Sequence, residues 1–539
     1  MIRGMMRNLA MLMVLTLPLV GVQTFAADSG AEEFAGEVVI ATATGADAID
    51  SQSYEGVETD DGIGVVATAD EEGEASVTIK NDVTVTADGD GGATGAYAGA
   101  GSDGVAEVEV GGDVSATAEK ETVMGIAASA NGGSAEVETE GNVTAKSEEG
   151  DVIGLYSESS DGIAETEADG DVSAVSRSGA AIGVGAVSTG GLSKGDVDGS
   201  VTAKSGEREA SGVYAWVEDN GEAYVKVDGD IKAEGKSDYM SDSPYDLVSG
   251  IVADLSNGSE KAKITVIAGG DVTGTDTGLL VVNDSDEETK AVADIIVEGT
   301  LGSGSGTAVL LSEKVTADNV RLTIWKLDGD VKQVVEQADT SLQAVSTDVT
   351  RAVEKNINYI IAVKPGQEDI FKGTAETAKE GETVIVRINV PSGYRLNAAY
   401  NGKGERVPLL KDANGNYYVE VKRGGGIYLS ACLKALPSES CQARYMTGGC
   451  AITEMVKITY DLDGGVMPDG DKGPVIKKVP AGTMLELMEK PAKEGYVFDY
   501  WKCDDKDVTV KNPKDKFCAE KDMKFTAVWK TAAEAETAG

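Results

Sequence analysis

The chain has 539 residues, a formal charge of −45, no histidine and five cysteines. Its length exceeds the ~250–300 residues at which a single core stops growing, so it is either several domains or a quasi-one-dimensional repeat. The acidity excludes nucleic acid as a partner, and the lack of histidine removes every Ser-His or Cys-His arrangement together with the commonest general base.

The N-terminus reads as an export signal. Arg3 and Arg7 precede an apolar run from Leu9 to Val20, and Thr24-Phe25-Ala26 offers small residues where a signal peptidase reads. Cleavage is expected after Ala26, so that 1–26 is a signal peptide and 27–36 a short N-terminal segment. The run is too short for a permanent span, and nothing later approaches ~18 consecutive apolar residues. The expectation is a secreted or cell-surface protein without a transmembrane anchor.

Residues 37–331 repeat. Gly112, Gly141, Gly170, Gly199, Gly229, Gly270, Gly299 and Gly329 mark Gly-Asp-Val-like turns at steps of 29, 29, 29, 30, 41, 29 and 30 residues, and a second glycine column keeps nearly the same period. Each repeat carries three segments of about five residues that alternate with period two, such as VSATA (114–118), GVYAWV (212–217) and AEVEV (106–110). Short Val- and Thr-rich runs bounded by Gly and Asp read as strands. Three strands and three turns per repeat predict an all-β fold, a parallel β-helix or β-solenoid of nine to ten three-stranded rungs. The long step holds an insertion at about 236–246.

The interior follows from the alternation. Val83, Val114, Val143, Val172, Val201, Ile231 and Val272 are expected to stack in one inner column, and Ala96, Ile126, Leu155, Val184, Val213, Ile251 and Leu279 in another. The third strand then turns Glu107, Glu109, Glu136, Glu138, Glu165 and Glu167 outward. Two readings stay open for this ladder: Ca²⁺ held between rungs as a cofactor, or a solvated acidic face. The second strand turns out Tyr97, Tyr156 and Tyr214 with Trp216, which as exposed aromatics would stack on sugar rings or anchor a protein, or would be isolated surface residues. A flat ice-binding threonine array is disfavoured, because Thr84, Thr86 and Thr117 give way to Lys146, Val175 and Lys204.

Beyond the repeat, Val331, Val334, Val335, Ala338, Leu342, Val345, Val349 and Val353 follow helical spacing, which predicts an amphipathic helix over 332–357 as cap or connector. Residues 358–435 return to strands. Residues 358–539 carry 26 basic and 26 acidic groups, so the whole net charge lies before them. All five cysteines fall in the last fifth, partly in a linker at 436–454. Cys441 with Cys450 and Cys503 with Cys518 are candidate pairs that leave Cys432 odd; connectivity is not fixed, and no CxxC spacing occurs.

KITYDLDGG (457–465), VPAGTMLELMEKPAKEGYVFDYWKC (479–503) and KFTAVWK (524–530) make a further pattern, carried by Asp461, Gly464, Gly465, Gly482, Thr483, Pro491, Gly495, Tyr496, Phe498, Trp501, Ala527 and Trp529. This pattern resembles the Listeria-Bacteroides repeat, the B-repeat module of internalin-type bacterial surface proteins. The resemblance implies a small β-grasp-like module at 455–531, with Tyr496, Phe498, Trp501 and Trp529 as its core, used as a stalk or adhesive unit. Residues 358–435 look like a divergent second copy, and 532–539 form a tail.

No catalytic constellation emerges. The expectation is an exported, rod-like surface or adhesin-type protein that binds host or matrix glycans or proteins, or cell-envelope components, without catalysis. A polysaccharide-acting β-helix lyase or hydrolase and a ligand-free spacer are the alternatives.

Overall fold

The computed structural model describes residues 34–531 except 36–37, 46–47, 61, 88, 90, 238–246, 286–287, 337–341, 392–393, 402–406, 414, 423–424, 436–454, 469–471, 481–482, 505–511 and 520. The signal peptide, the inserted loop, the cysteine linker, Gly482 and the tail read from the sequence fall outside the described residues. The chain divides into two units. The first reaches to Ile361 and takes in Glu376–Glu382 and Glu420–Ile427; the second comprises Ala362–Ala375, Thr383–Val419 and Tyr428 onward.

Each turn of the first unit lays down three short strands that stack in parallel on the turns before and after. Val83–Ala87, Val114–Ala118, Val143–Ser147, Val172–Ser176 and Val201–Ser205 pair in unbroken register on one side. Ala93–Gly101, Val123–Asn131, Val152–Ser159, Ala181–Ser188 and Ala210–Val217 do so on the second, and Val105–Val110, Ser134–Thr139, Ile163–Ala168, Leu192–Val197 and Glu222–Val227 on the third. About nine turns make the β-solenoid. Parallel neighbours need a long crossover, and here the other two sides of the triangle supply it.

The inner columns contain the residues that the alternation selects. Val83, Val114, Val143, Val201, Ile231 and Val272 are fully buried, as are Ala96, Ile126, Leu155, Val184, Val213, Ile251 and Leu279. Such a narrow tube has room for little more than Ala, Val, Ile and Leu. At the corner between the first and second sides the space is tighter still. A Cβ on Gly154 would strike the side chain of Val172 and stand 2.6 Å from the Gly183 carbonyl oxygen, so only glycine fits.

The Gly-Asp-Val turns are stitched from rung to rung by their polar side chains. Asp82 Oδ1 accepts the backbone N–H of Asp113 at 2.9 Å, Asp113 Oδ1 that of Asn142 at 2.7 Å, Asn142 Oδ1 that of Asp171 at 2.9 Å, and Asp171 Oδ1 that of Ser200 at 2.7 Å. Ser200, Asp230 and Asp271 continue the series. A serine column does the same at another corner: Ser176 Oγ donates to the Gly150 carbonyl at 2.7 Å and accepts the Gly179 N–H at 2.8 Å, and Ser205 repeats both bonds one rung on. Turn backbone that strands leave unpaired is thereby satisfied.

The end of the coil differs from the helix expected over 332–357. Val320–Glu336 is a strand, with Val331 opposite Val309 and Gln333 opposite Leu311, and it turns back to pair antiparallel with Leu342–Val345. The helix is confined to Asp348–Asn356, capped by Thr347, whose side chain accepts the Thr350 N–H. The last rung presents an unpaired edge, and β-branched Val331, Val334 and Val335 extend it; their spacing satisfies both periods, and the edge decides. Asn358–Tyr359 joins the same edge and pairs with Ala378–Lys379, so that Val353, Ile357, Tyr359 and Ala378 are buried at this end.

In the second unit, Met455–Asp461 and Met523–Thr531 lie parallel in the middle of a mixed four-stranded sheet, with Val475–Pro480 and Tyr496–Cys503 antiparallel at its edges. Trp501, Tyr460 and Phe525 are its largest fully buried side chains, with Tyr460 and Phe525 stacked at 5.4 Å. Trp501 Nε1 donates to the Met488 carbonyl at 3.0 Å. Phe498 and Trp529 pack partly buried against this core, but Tyr496, expected within it, is exposed, with Lys493 Nζ 5.0 Å from its ring centre. The Asp-x-x-Gly-Gly strand end is a turn in which Asp463 and Gly464 take positive φ and Asp461 accepts the Asp463 N–H and pairs with Lys524 at 2.7 Å. Cys503 Sγ lies 3.8 Å from the Asp504 carboxylate.

Candidate functional site

Because strand side chains alternate, each side of the solenoid has one outer face, and the three differ in chemistry. The first side presents hydroxyls and lysines: Thr84, Ser115, Thr144, Ser173 and Thr202, with Lys146, Lys204 and Lys232, are all partly or fully exposed.

The third side presents acid. Glu107, Glu136 and Glu165 stand in one register column and Glu109, Glu138 and Glu167 in the next. Strand spacing holds neighbours in a column ~4.8 Å apart, where like charges repel. The carboxyls of Glu136 and Glu138 are held above their ordinary value, first by burial and then by the charges of Glu165 and Glu107 on the former and Glu109 on the latter. Glu167 is raised likewise, by burial and by Asp196.

The next rungs supply counter-charge that a reading of the acidic triplets alone did not find. Lys194 continues the Glu165 column and pairs with Glu165, lying 3.8 Å from Asp196 as well. Lys226 follows Asp196 and reaches Asp228 at 3.0 Å, Asp196 at 3.5 Å and Asp198 at 3.8 Å; the bond to Asp228 heads the causes that raise its pKa. The signal was present in the sequence as the Lys194 and Lys226 positions of the same alternation. The Glu carboxylates are spread along two columns rather than gathered, and among the described residues no three His, Cys, Asp or Glu side chains are placed to hold a metal ion. Such a face takes up protons and attracts cationic groups along its length.

The second side carries the aromatic residues, and here the structure corrects the expectation of exposure. Tyr97, Ala127, Tyr156, Gly185, Tyr214, Val252, Leu280 and Leu310 form one outward column. Tyr156 and Tyr214 are fully buried and Trp216 nearly so; only Tyr97 is half-buried. Ile153, Ile182, Val187, Val252 and Leu280 belong to the same buried apolar cluster on this face. The tyrosine hydroxyls escape to its margin, where Tyr156 donates to Glu158 and Tyr214 to Asp254, both at 3.2 Å. Burial pushes the Tyr97 phenol up to about 12 and Tyr156 higher, and burial also raises the Glu158 carboxyl. Tyr156, Tyr214 and Trp216 offer no free face for a sugar to stack on.

A three-faced β-solenoid and a small β-sheet module in one chain make a repeat protein of the surface type. Residues 457–528 match the family model of the Listeria-Bacteroides repeat domain, over the same segment as the DLDGG, GYVFDYW and AVW pattern. Comparison with curated proteins and with solved structures returns no match. No helix among the described residues is long and apolar enough to cross a membrane.

Proposed function

We propose that the protein is an exported, non-catalytic adhesin-type rod that binds host or matrix glycans or proteins, or components of the cell envelope. The observation that carries this reading is the outer surface of the solenoid, where the third side stacks six glutamates over three successive rungs on short, regular turns. Binding along that stretch is multivalent by construction, since three successive rungs repeat the same pair of glutamates. The acidic face suits a basic protein or a cation-bridged glycan, with Ca²⁺ as a bridging ion shared with the ligand rather than caged by the chain. The Listeria-Bacteroides repeat supports placement at the cell surface.

A polysaccharide lyase or hydrolase on the same scaffold requires a cleft in which an acid and a base converge, with carboxylates ~5–9 Å apart across a sugar ring. The ladder supplies that spacing only along a flat strand face, open to water.

The test is retention of the chain from Ala27 to Gly539 on immobilised mucin, matrix proteins and glycans, with and without Ca²⁺. Saturable retention with ligand recovered intact supports the proposal. Release of shortened polysaccharide overturns it in favour of an enzyme, and no retention in favour of a spacer.

A further inference from the structure

The first turn of the coil departs from the pattern of its own interior. On the third side the inner positions carry Ala106, Val108 and Val110 in one turn and Ala75, Val77 and Ile79 in the turn before, all buried. One turn earlier still, in Ile49–Tyr54, the same register places Asp50, Gln52 and Tyr54, each half-buried. Polar side chains at the mouth of an apolar tube need partners.

They find them across the mouth, on the second side. Asp50 Oδ2 accepts the Thr42 N–H at 2.9 Å, and Gln52 Nε2 donates to the Ile40 carbonyl at 2.8 Å. Gln52 also donates to Asp50 Oδ1 at 3.3 Å, and the Tyr54 hydroxyl donates to Gln52 Oε1 at 2.6 Å. Outward residues of the second side direct their N–H groups at the preceding turn, as Ser160 does to the Ala130 carbonyl at 3.0 Å. Val39–Thr44 stands in the first turn, and among the described residues the strand paired with it is Ile63–Asp70, in the turn after. The Thr42 N–H and Ile40 carbonyl therefore lie on the outer edge, where side chains of the same turn take the place of a further strand. Beside them the outward Ile40 and Ile49 are 39 % and 70 % exposed. An unpaired edge flanked by apolar residues is a template for another strand, and inward-pointing polar side chains are one way to blunt it.

We infer that Asp50, Gln52 and Tyr54 form a plug that holds the first turn closed against a second copy of the chain. A second copy is the partner such an edge fits, because two identical edges related by a twofold axis pair antiparallel and satisfy one another. Pairing of that kind has to break the Asp50 and Gln52 bonds first, so the plug keeps the rods single. Each chain has one such edge, and association without the plug stops at the dimer. The plug acts at the end of the coil, apart from whatever its outer faces bind.

The test compares the chain from Ala27 with the triple variant Asp50→Ala, Gln52→Val, Tyr54→Ile by sedimentation velocity across a dilution series, with circular dichroism to verify the strands. The parent is expected to stay monomeric at every concentration, and the variant to reach the mass of a dimer and to dissociate on dilution. Adding Ile40→Lys to the triple variant is expected to restore the monomer, since the twofold axis brings two like charges together at the edge. A folded triple variant that stays monomeric overturns the inference, as does association that Ile40→Lys leaves unchanged, or a parent that already dimerises. Should the triple variant lose its strand signal, Gln52→Val alone is read in its place: reversible dimers support the plug, and monomers throughout overturn it.

Discussion

Asp113 Oδ1 accepts the backbone N–H of Asn142 at 2.7 Å, and Asn142 lies one full turn further along the coil. This bond explains one class of carboxylates in the acidic half of the chain. Asp82, Asp113, Asp171, Asp230 and Asp271 are acceptors that hold each corner to the next, while the glutamates of the third strand form the charged face.

The corner role gives a first prediction. Asp113→Ala removes the acceptor for both the N–H and the side-chain amide of Asn142, and is expected to cost about 1 kcal/mol in chemical denaturation. Asp113→Asn keeps a carbonyl in place, as Asn142 itself does toward Asp171, and is expected to cost far less.

Gly154→Ala is expected to destabilise the coil by about 1–3 kcal/mol, because its Cβ meets Val172 and the Gly183 backbone, neither of which can yield without shifting a rung. Gly425→Ala, where nothing lies within 4 Å of the added carbon, serves as the control and is expected to leave the denaturation midpoint in place.

The glutamate ladder makes stability depend on pH with a definite sign. Glu136, Glu138 and Glu167 have folded-state values raised above the ordinary 4.5, so between 4.5 and those raised values the folded chain binds more protons than the unfolded one. Stability therefore falls as pH rises through that window. Glu138→Gln is expected to stabilise by about half a kcal/mol at pH 7, with no gain below pH 4.5 and a smaller gain at high salt. Thermal melts at the two pH values check this.

In the C-terminal module Trp501→Ala removes a fully buried ring and its hydrogen bond to Met488, and is expected to cost about 3–5 kcal/mol. Tyr496→Ala, at an exposed position, is expected to cost under about 1 kcal/mol. Near-ultraviolet circular dichroism reports the loss of the Trp501 environment.

The coil was legible because its signals are local and repeated: period-two alternation fixes Val114 and Ala116 inward, and two glycine columns fix the register. The Listeria-Bacteroides module was legible through spaced aromatic and glycine positions. What one rung at a time could not reveal was cumulative. Tyr156 looks like an exposed aromatic within its own rung and becomes part of a buried apolar cluster only beside Ile153, Ile182 and Leu280. Lys194 and Lys226 appear as counter-charges only when the third-strand column is followed past Glu165. At 332–336 helical and strand periods coincide, and the exposed edge of the last rung, a tertiary feature, selects the strand. The turn aspartates were read as corner residues, but their bonds to the next rung depend on stacking that a single repeat does not contain.

The most direct measurement sets the chain from Ala27 beside a variant in which Glu107, Glu109, Glu136, Glu138, Glu165 and Glu167 are all replaced by Gln, on one panel of immobilised glycans and matrix proteins at low and physiological salt. The account predicts saturable, salt-sensitive retention of the parent with the ligand recovered intact, and at least tenfold weaker retention of the variant. Equal retention of the two chains, no retention of either, or recovery of cleaved polysaccharide would contradict it.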